Sequence, residues 1–336
     1  MRALLIPVFG IALIFEAFAP ASLAAGQDWV GLRSVRLAKP GGGQASFGLS
    51  HSVQQSWALG DRFAFLKESN GDFKIQRRVD VQLDLAWQPS KDWGLKLSLP
   101  YHWVALSPFP LAGSNPSYRL DDPGVRRTDS LGDLSLEARR AWGPDAGQAG
   151  ASGALWLSVV APTGIGPFEA QHTMVATGEG RWQLAPGFVV GASSGTWSIY
   201  GQAGAPIQLG RESSLSSEAV LGYGPDGPRL PAGGNVWLGP RYGVQGSVGL
   251  AWDWLADEDM RQTLALEFQG WQRSPLDQGG VLTPDTEQAA VGFVPQLHAN
   301  YGRFHAVAGW TLPYNYANNI PSPDYGASHL RVDYGF

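Results

Sequence analysis

The 336-residue chain contains no cysteine, which excludes disulfides, thiolate metal sites and thiol nucleophiles together. It is poor in charge as well. Asp, Glu, Lys and Arg make up 16% of the residues, against about 25% in soluble chains. A formal net charge of −5 leaves no basic excess for nucleic acid, so no nucleic-acid partner is expected. After the first 25 residues, no apolar run approaches the roughly 18 residues that mark a transmembrane helix. Catalytic spacing is missing too. His51 and Ser52 are adjacent, and on a strand adjacent side chains point to opposite faces. His102, His172, His298, His305 and His329 are scattered, without the carboxylate spacing of a metal site. The chain reads as a non-enzyme that needs no cofactor.

What is present begins at the N-terminus. Arg2 precedes an apolar stretch, Ala3 to Phe18, interrupted by Pro7, Gly10 and Glu16, and the small residues Ala19 to Ala25 follow. A basic start, a short apolar region and a small-residue exit predict a secretory signal peptide over 1–25, cleaved near Ala24 or Ala25. Glycine is abundant at 44 residues and tryptophan at 14. In lipid every backbone N–H and C=O must be paired internally, so an exported chain that spans without long helices must form a closed barrel.

Alternation decides the fold class. Val79, Val81, Leu83, Leu85 and Trp87 occupy one parity, and Arg78, Asp80, Gln82 and Asp84 the other. Val244, Val248, Leu250, Trp252 and Trp254 repeat the pattern against Gln245, Ser247 and Asp253. So do Leu264, Leu266 and Phe268 against Thr263, Glu267 and Gln269, and Leu134, Leu136 and Ala138 against Asp133, Ser135, Glu137 and Arg139. A helix would scatter such residues, whereas a strand sends every second side chain to one side.

About twelve strands result, near 44–56, 74–88, 92–104, 131–142, 151–161, 178–193, 196–208, 240–254, 261–272, 286–300, 303–313 and 326–336. Connections near 89–91, 143–150, 194–195, 255–260 and 301–302 are short. Those near 57–73, 105–130, 162–177, 209–239, 273–285 and 314–325 are longer. The prediction is all-β: a closed antiparallel transmembrane β-barrel over 44–336, with short periplasmic turns and long extracellular loops. The expected place is the bacterial outer membrane, with outer-membrane lipid as partner. Residues 26–43 precede the first strand as a periplasmic leader or a plug, in which Arg33, Arg36 and Lys39 would face an acidic interior.

The last strand alternates Leu330, Val332, Tyr334 and the terminal Phe336 against His329, Arg331 and Asp333. It is similar to the segment that bacterial outer-membrane proteins present to their barrel-assembly machinery, the second expected partner. Trp87, Trp93, Tyr101, Trp103, Trp142, Trp254, Trp271, Trp310 and Tyr334 fall near strand ends, where interfacial girdles need them.

Short glycine-rich motifs carry a resemblance. Leu131-Gly-Asp-Leu-Ser-Leu136, Leu97-Ser-Leu-Pro-Tyr101, Ala161-Pro-Thr-Gly164, Thr177-Gly-Glu-Gly180 and Trp197-Ser-Ile-Tyr-Gly201 look like those of small outer-membrane barrels grouped as the MetA-pathway of phenol degradation family. They extend from about the second strand to the seventh. The resemblance implies a transporter-like barrel passing small compounds, aromatic or apolar ones among them, and transfers no catalytic residue.

The inward parity is the candidate functional surface: Arg78, Asp80, Asp84, Lys96, Asp133, Glu137, Arg139, Arg181, Asp253, Glu267, His298, His329, Arg331 and Asp333. Interleaved charges of both signs read either as a structural ladder or as a filter for solutes. A passive channel for small organic solutes is expected, gated by the long second or fourth extracellular loop. A sheath for a periplasmic partner and an outer-membrane lipid hydrolase remain as alternatives.

Overall fold

The structure is a computed structural model. It describes residues 40–336 apart from 55, 60–61, 66–73, 109–125, 144–149, 166–177, 215–218, 221–228, 231–233, 257–259, 279–280, 284–287, 318–319 and 323–326. Residues 1–39 lie outside it, and with them the signal peptide and the plug candidates Arg33, Arg36 and Lys39. Most of the second long connection and about half of the fourth also lie outside the described residues.

Twelve antiparallel strands close into a barrel. They are β1 (Gly43–Gln54), β2 (Lys74–Trp87), β3 (Trp93–Pro108), β4 (Arg126–Leu131, resuming at Leu134–Trp142), β5 (Gly150–Ala161) and β6 (Gln183–Ser194). The circuit continues with β7 (Trp197–Gly204, extended by Ile207–Gln208), β8 (Arg241–Ala256), β9 (Met260–Arg273), β10 (Gln288–Tyr301), β11 (Phe304–Ala317) and β12 (Ala327–Gly335). Each strand pairs with the next in sequence, and β12 pairs back onto β1 from Gln44↔Gly335 to Ser52↔Ala327. Closure leaves no edge strand, which is what lipid requires. At the seam the Gly43 and Phe336 backbones exchange two hydrogen bonds of 2.9 Å. The Phe336 ring lies over Gly43, where a side chain would fall 2.6 Å from it.

Alternation sorts the faces as the parity predicts. Leu83 is 49% exposed while Asp84 beside it is 2% exposed. Leu85, Leu95, Leu97, Leu136, Leu155, Leu157, Val248, Leu266, Phe268 and Leu330 are likewise exposed. A barrel that turns its apolar side chains outward and its charges inward is built to stand in a membrane. Trp87, Trp93, Trp142, Trp254, Tyr301, Phe304, Tyr334 and Phe336 ring the end that carries the short turns, all exposed. Two of those turns hold two residues, Gly195-Thr196 and Gly302-Arg303. Gly195 (φ 60°) and Gly302 (φ 56°) adopt the positive φ that primed hairpin turns need.

Four details differ from the sequence reading. Trp271 is not in a girdle: it is 7% exposed and shares the inward parity of Glu267, Gln269 and Arg273. The sixth strand begins at Gln183 instead of 178, because Gly178 and Gly180 (φ 64°) turn the chain before it. The fourth strand begins earlier and breaks at Gly132-Asp133. Beyond the barrel, short strands extend the hairpins. Arg211–Ser214 pairs with Asn235–Leu238, and Leu276–Gln278 pairs with Val281–Thr283.

Candidate functional site

The interior has two unlike halves. From β9 through β12 and β1 to β4 it is lined by a polar network, with charges from β2, β3, β4, β9 and β12 and with serines on β1 and histidines on β10 and β11. A strand places residues i and i+2 on one face, so Arg78 and Asp80 meet at 2.6 Å. Asp80 sits opposite His102 in register and binds its Nδ1 at 2.5 Å, while Ser50 Oγ donates to the other carboxylate oxygen at 3.3 Å. Arg331 reaches Asp333 at 2.5 Å, Asp84 at 3.6 Å and Ser46 Oγ at 2.7 Å, joining β12, β1 and β2. Asp333 also holds His305 Nδ1 at 2.9 Å. Arg139 pairs with Glu137, which faces Lys96 across β3 and β4. On β9 and β10, Glu267 accepts from Gln296 at 3.4 Å, and Gln296 contacts His298, whose ring stacks 5.7 Å from that of His305. Thr311 Oγ1 meets His329 Nε2 at 2.5 Å. Asp253 takes Thr263 Oγ1 at 2.6 Å and Arg261 at 3.2 Å.

Of the residues singled out by parity, Arg78, Asp80, Asp84, Lys96, Asp133, Glu137, Arg139, Arg181, Glu267, His298, Arg331 and Asp333 are buried. Asp253 and His329 are half-buried. Opposite charges in mutual contact are how charge survives away from bulk water. His102, His305 and Thr311 belong to the same network. All three share the inward parity of their strands, and His102 was legible from Lys96 on the same strand although the sequence reading did not include it.

The other half carries no charge. Strands β5, β6 and β7 contain no Asp, Glu, Lys or Arg on either face, and neither does β8 between Gly243 and Trp252. Their inward positions hold Ala154, Trp156, Val160, Ala185, Val189, Tyr200 and Ala251, all buried, with Ser158, Gln183, Gln202, Gln245 and Ser247 among them. The Trp156 indole lies on Gly187, whose missing Cβ would fall 2.2 Å from the ring. Glycine at 187 is what lets a large aromatic lie flat on the inner wall.

Between the halves, toward the end with the long connections, a polar tie crosses the interior. It starts at the break in β4. Asp133 accepts from the Gly164 amide at 2.9 Å and from the Glu179 amide at 2.7 Å. Thr163 Oγ1 donates to Gly132 O at 2.7 Å and accepts from Leu134 N at 2.9 Å. Both ends of the connection between β5 and β6 are thereby fastened to one carboxylate. Gly178 has no room for a side chain, since a Cβ would stand 2.3 Å from Asp133 Oδ1. Glu179 then reaches Arg273 on β9 at 3.1 Å, and Arg273 lies over the Trp271 ring at 5.2 Å. Arg181 lies just ahead of β6 and donates to Gly239 O at 2.8 Å. Strands β4 and β9 are five places apart in a ring of twelve, so Asp133, Glu179 and Arg273 together span most of the interior width.

Three of the motifs quoted above thus meet at one point. Leu131-Gly-Asp-Leu-Ser-Leu136 supplies Asp133, Ala161-Pro-Thr-Gly164 supplies Thr163 and the Gly164 amide, and Thr177-Gly-Glu-Gly180 supplies Gly178 and Glu179. Among the described residues, the segment entering the interior belongs to the third long connection.

No family model matches the chain, and no curated protein matches it in sequence. Among solved structures it is similar to an outer membrane channel from Pseudomonas putida F1, with a TM-score of 0.60 and 14% identity, covering 88% of this chain and 96% of that one. The translocator domain of the autotransporter NalP from Neisseria meningitidis gives a TM-score of 0.42 at 14% identity, over 89% of each chain. A mutant of the TodX monoaromatic hydrocarbon channel gives 0.40 at 13% identity, over 98% of each chain. The first of these likenesses establishes the fold, an outer-membrane β-barrel.

Proposed function

We propose that this protein is a passive outer-membrane channel for small organic solutes. The observation that carries the reading is the tie from Asp133 through Glu179 to Arg273. A barrel serving only as an anchor or a sheath has no need of a loop segment fastened across its bore. A channel that must exclude most solutes does need one, because a narrow polar constriction sets both size and orientation of what passes. The two-sided interior supports the solute class. A compound with an apolar face and a polar group matches an uncharged wall with Trp156 and Val189 opposite a charged one. Twelve strands leave a bore between that of filled eight-stranded barrels and that of open sixteen-stranded porins.

The test is conductance of the purified barrel in planar bilayers, compared with the Glu179→Ala/Arg273→Ala double variant. Removing both partners avoids stranding either charge. Single-channel conductance rises several-fold in the double variant if the tie is the constriction. Silence from both proteins, with no liposome swelling, defeats the channel reading.

A further inference from the structure

We propose that the outer wall at the short-turn end binds the phosphate of a membrane phospholipid. The site is a groove of about 450 Å³ lined by Lys91, Asp92, Arg140, Ala141, Trp142 and Leu155. It lies on the lipid side, remote from the interior, and is independent of the channel reading.

Arg140 is the unusual residue. It occupies the outward parity of β4, in one column with Leu136, Ala138 and Trp142, and it is exposed. Its register partners across the wall are Trp93 on β3 and Leu155 on β5, both exposed. The guanidinium lies 5.9 Å from the Trp93 ring centroid. Among the described residues no carboxylate lies within ion-pair distance of it. That separates Arg140 from the inward arginines Arg78, Arg139, Arg273 and Arg331, each of which meets an acid. An arginine facing lipid needs an anion or the headgroup layer, and its position in the last turn of wall places it at that layer.

Lys91 is brought alongside by a fixed turn. Gln88 is buried, and its side-chain amide donates to Ser90 O at 2.9 Å and Lys91 O at 3.4 Å. The Ala141 amide donates to Asp92 O at 2.7 Å, fastening the turn to β4. Trp142 lies across Gly153 on the outer wall and borders the groove on its far side. Among the described residues the lining carries two cations, Lys91 and Arg140, and one acid, Asp92. Below them, Leu155, Leu157 and Leu136 continue the wall as an exposed apolar surface along which an acyl chain can lie. Short turns face the periplasm in such barrels, so the ligand is a phospholipid of the periplasmic leaflet.

Native mass spectrometry of the barrel in detergent, titrated with dioleoylphosphatidylglycerol, tests this. The wild type retains one lipid that the Lys91→Gln/Arg140→Gln variant binds about 10- to 30-fold more weakly, from about 1 kcal/mol for each basic residue near a membrane surface. Lys91→Gln alone, a change in an exposed turn that leaves every strand intact, weakens it about 5-fold. Arg261→Gln, which removes an arginine paired with Asp253 at the same end, leaves retention unchanged. Equal retention by wild type and both lysine variants overturns the proposal, and so does equal retention of dioleoylglycerol, which lacks the phosphate.

Discussion

Leu83 and Asp84 are neighbours in sequence and opposites in environment, one 49% and the other 2% exposed. An arginine on the lipid face near the midplane costs roughly 2–4 kcal/mol. Leu83→Arg is therefore expected to lower the yield of heat-modifiable, folded barrel in vesicles, whereas Asp84→Asn, which weakens a 3.6 Å contact with Arg331, is expected to fold nearly as well as wild type. Equal yields would mean that the register is off by one residue. Gly187 offers a second test inside the wall. A Cβ there would stand 2.2 Å from the Trp156 ring and 2.6 Å from the Ala203 carbonyl oxygen. Backbone cannot yield as a side chain does, so Gly187→Val is expected to destabilise the barrel by about 1–3 kcal/mol, read as a lower urea midpoint.

At the scale of elements, the connection between β5 and β6 is held chiefly through Asp133. Asn at 133 keeps the shape but offers one acceptor in place of two, and its amino group opposes a backbone N–H. The loss is about 1–3 kcal/mol at the anchor. Hydrogen exchange at the Gly164 and Glu179 amides is expected to quicken in Asp133→Asn, while exchange along β1 and β2 stays as it was. Unchanged protection at both amides would remove Asp133 from this role. How far such elements were legible in the sequence depended on distance along the chain. Strand parity is local, and it placed Asp84, Glu137 and Arg331 inward without reference to any other strand. Even Trp271 was readable, since it lies four residues from Glu267 and so shares its face; its nearness to a strand end masked that parity. Arg140 was equally readable as an outward charge. The tie was not readable. Glu179 and Arg273 are 94 positions apart, and only barrel closure brings β4, β6 and β9 around one bore. The motifs around Asp133, Gly164 and Gly178 were visible as short glycine-rich strings, but nothing local said that they meet.

For the whole molecule, the distribution of charge around the ring is the feature with consequences for the proposed channel role. Of the eight consecutive strands β9 to β12 and β1 to β4, five (β2, β3, β4, β9 and β12) carry charges inward and β1, β10 and β11 add serines or histidines, whereas three strands in a row, β5 to β7, carry no charge. On the channel reading, a charged solute would find ion-pair partners on one side only, while an apolar ring could lie against Trp156, Val189 and Ala185 among the serines and glutamines of the other. A charge introduced into the uncharged wall should therefore act selectively. Val189 and Ala185 are fully buried on the inward face of β6. Val189→Asp places a carboxylate where no cation faces it on β5, β6 or β7, and it draws water into the apolar track. Flux of a small ring-bearing solute into proteoliposomes is expected to fall about 10-fold, equivalent to about 1.4 kcal/mol at the constricting position. Flux of a hydrophilic solute of equal size is expected to hold or rise. Val189→Leu, which keeps the wall apolar, controls for packing. Equal loss for both solutes in Val189→Asp would indicate a blocked or misfolded bore, and no loss for either would show that solutes do not follow this wall.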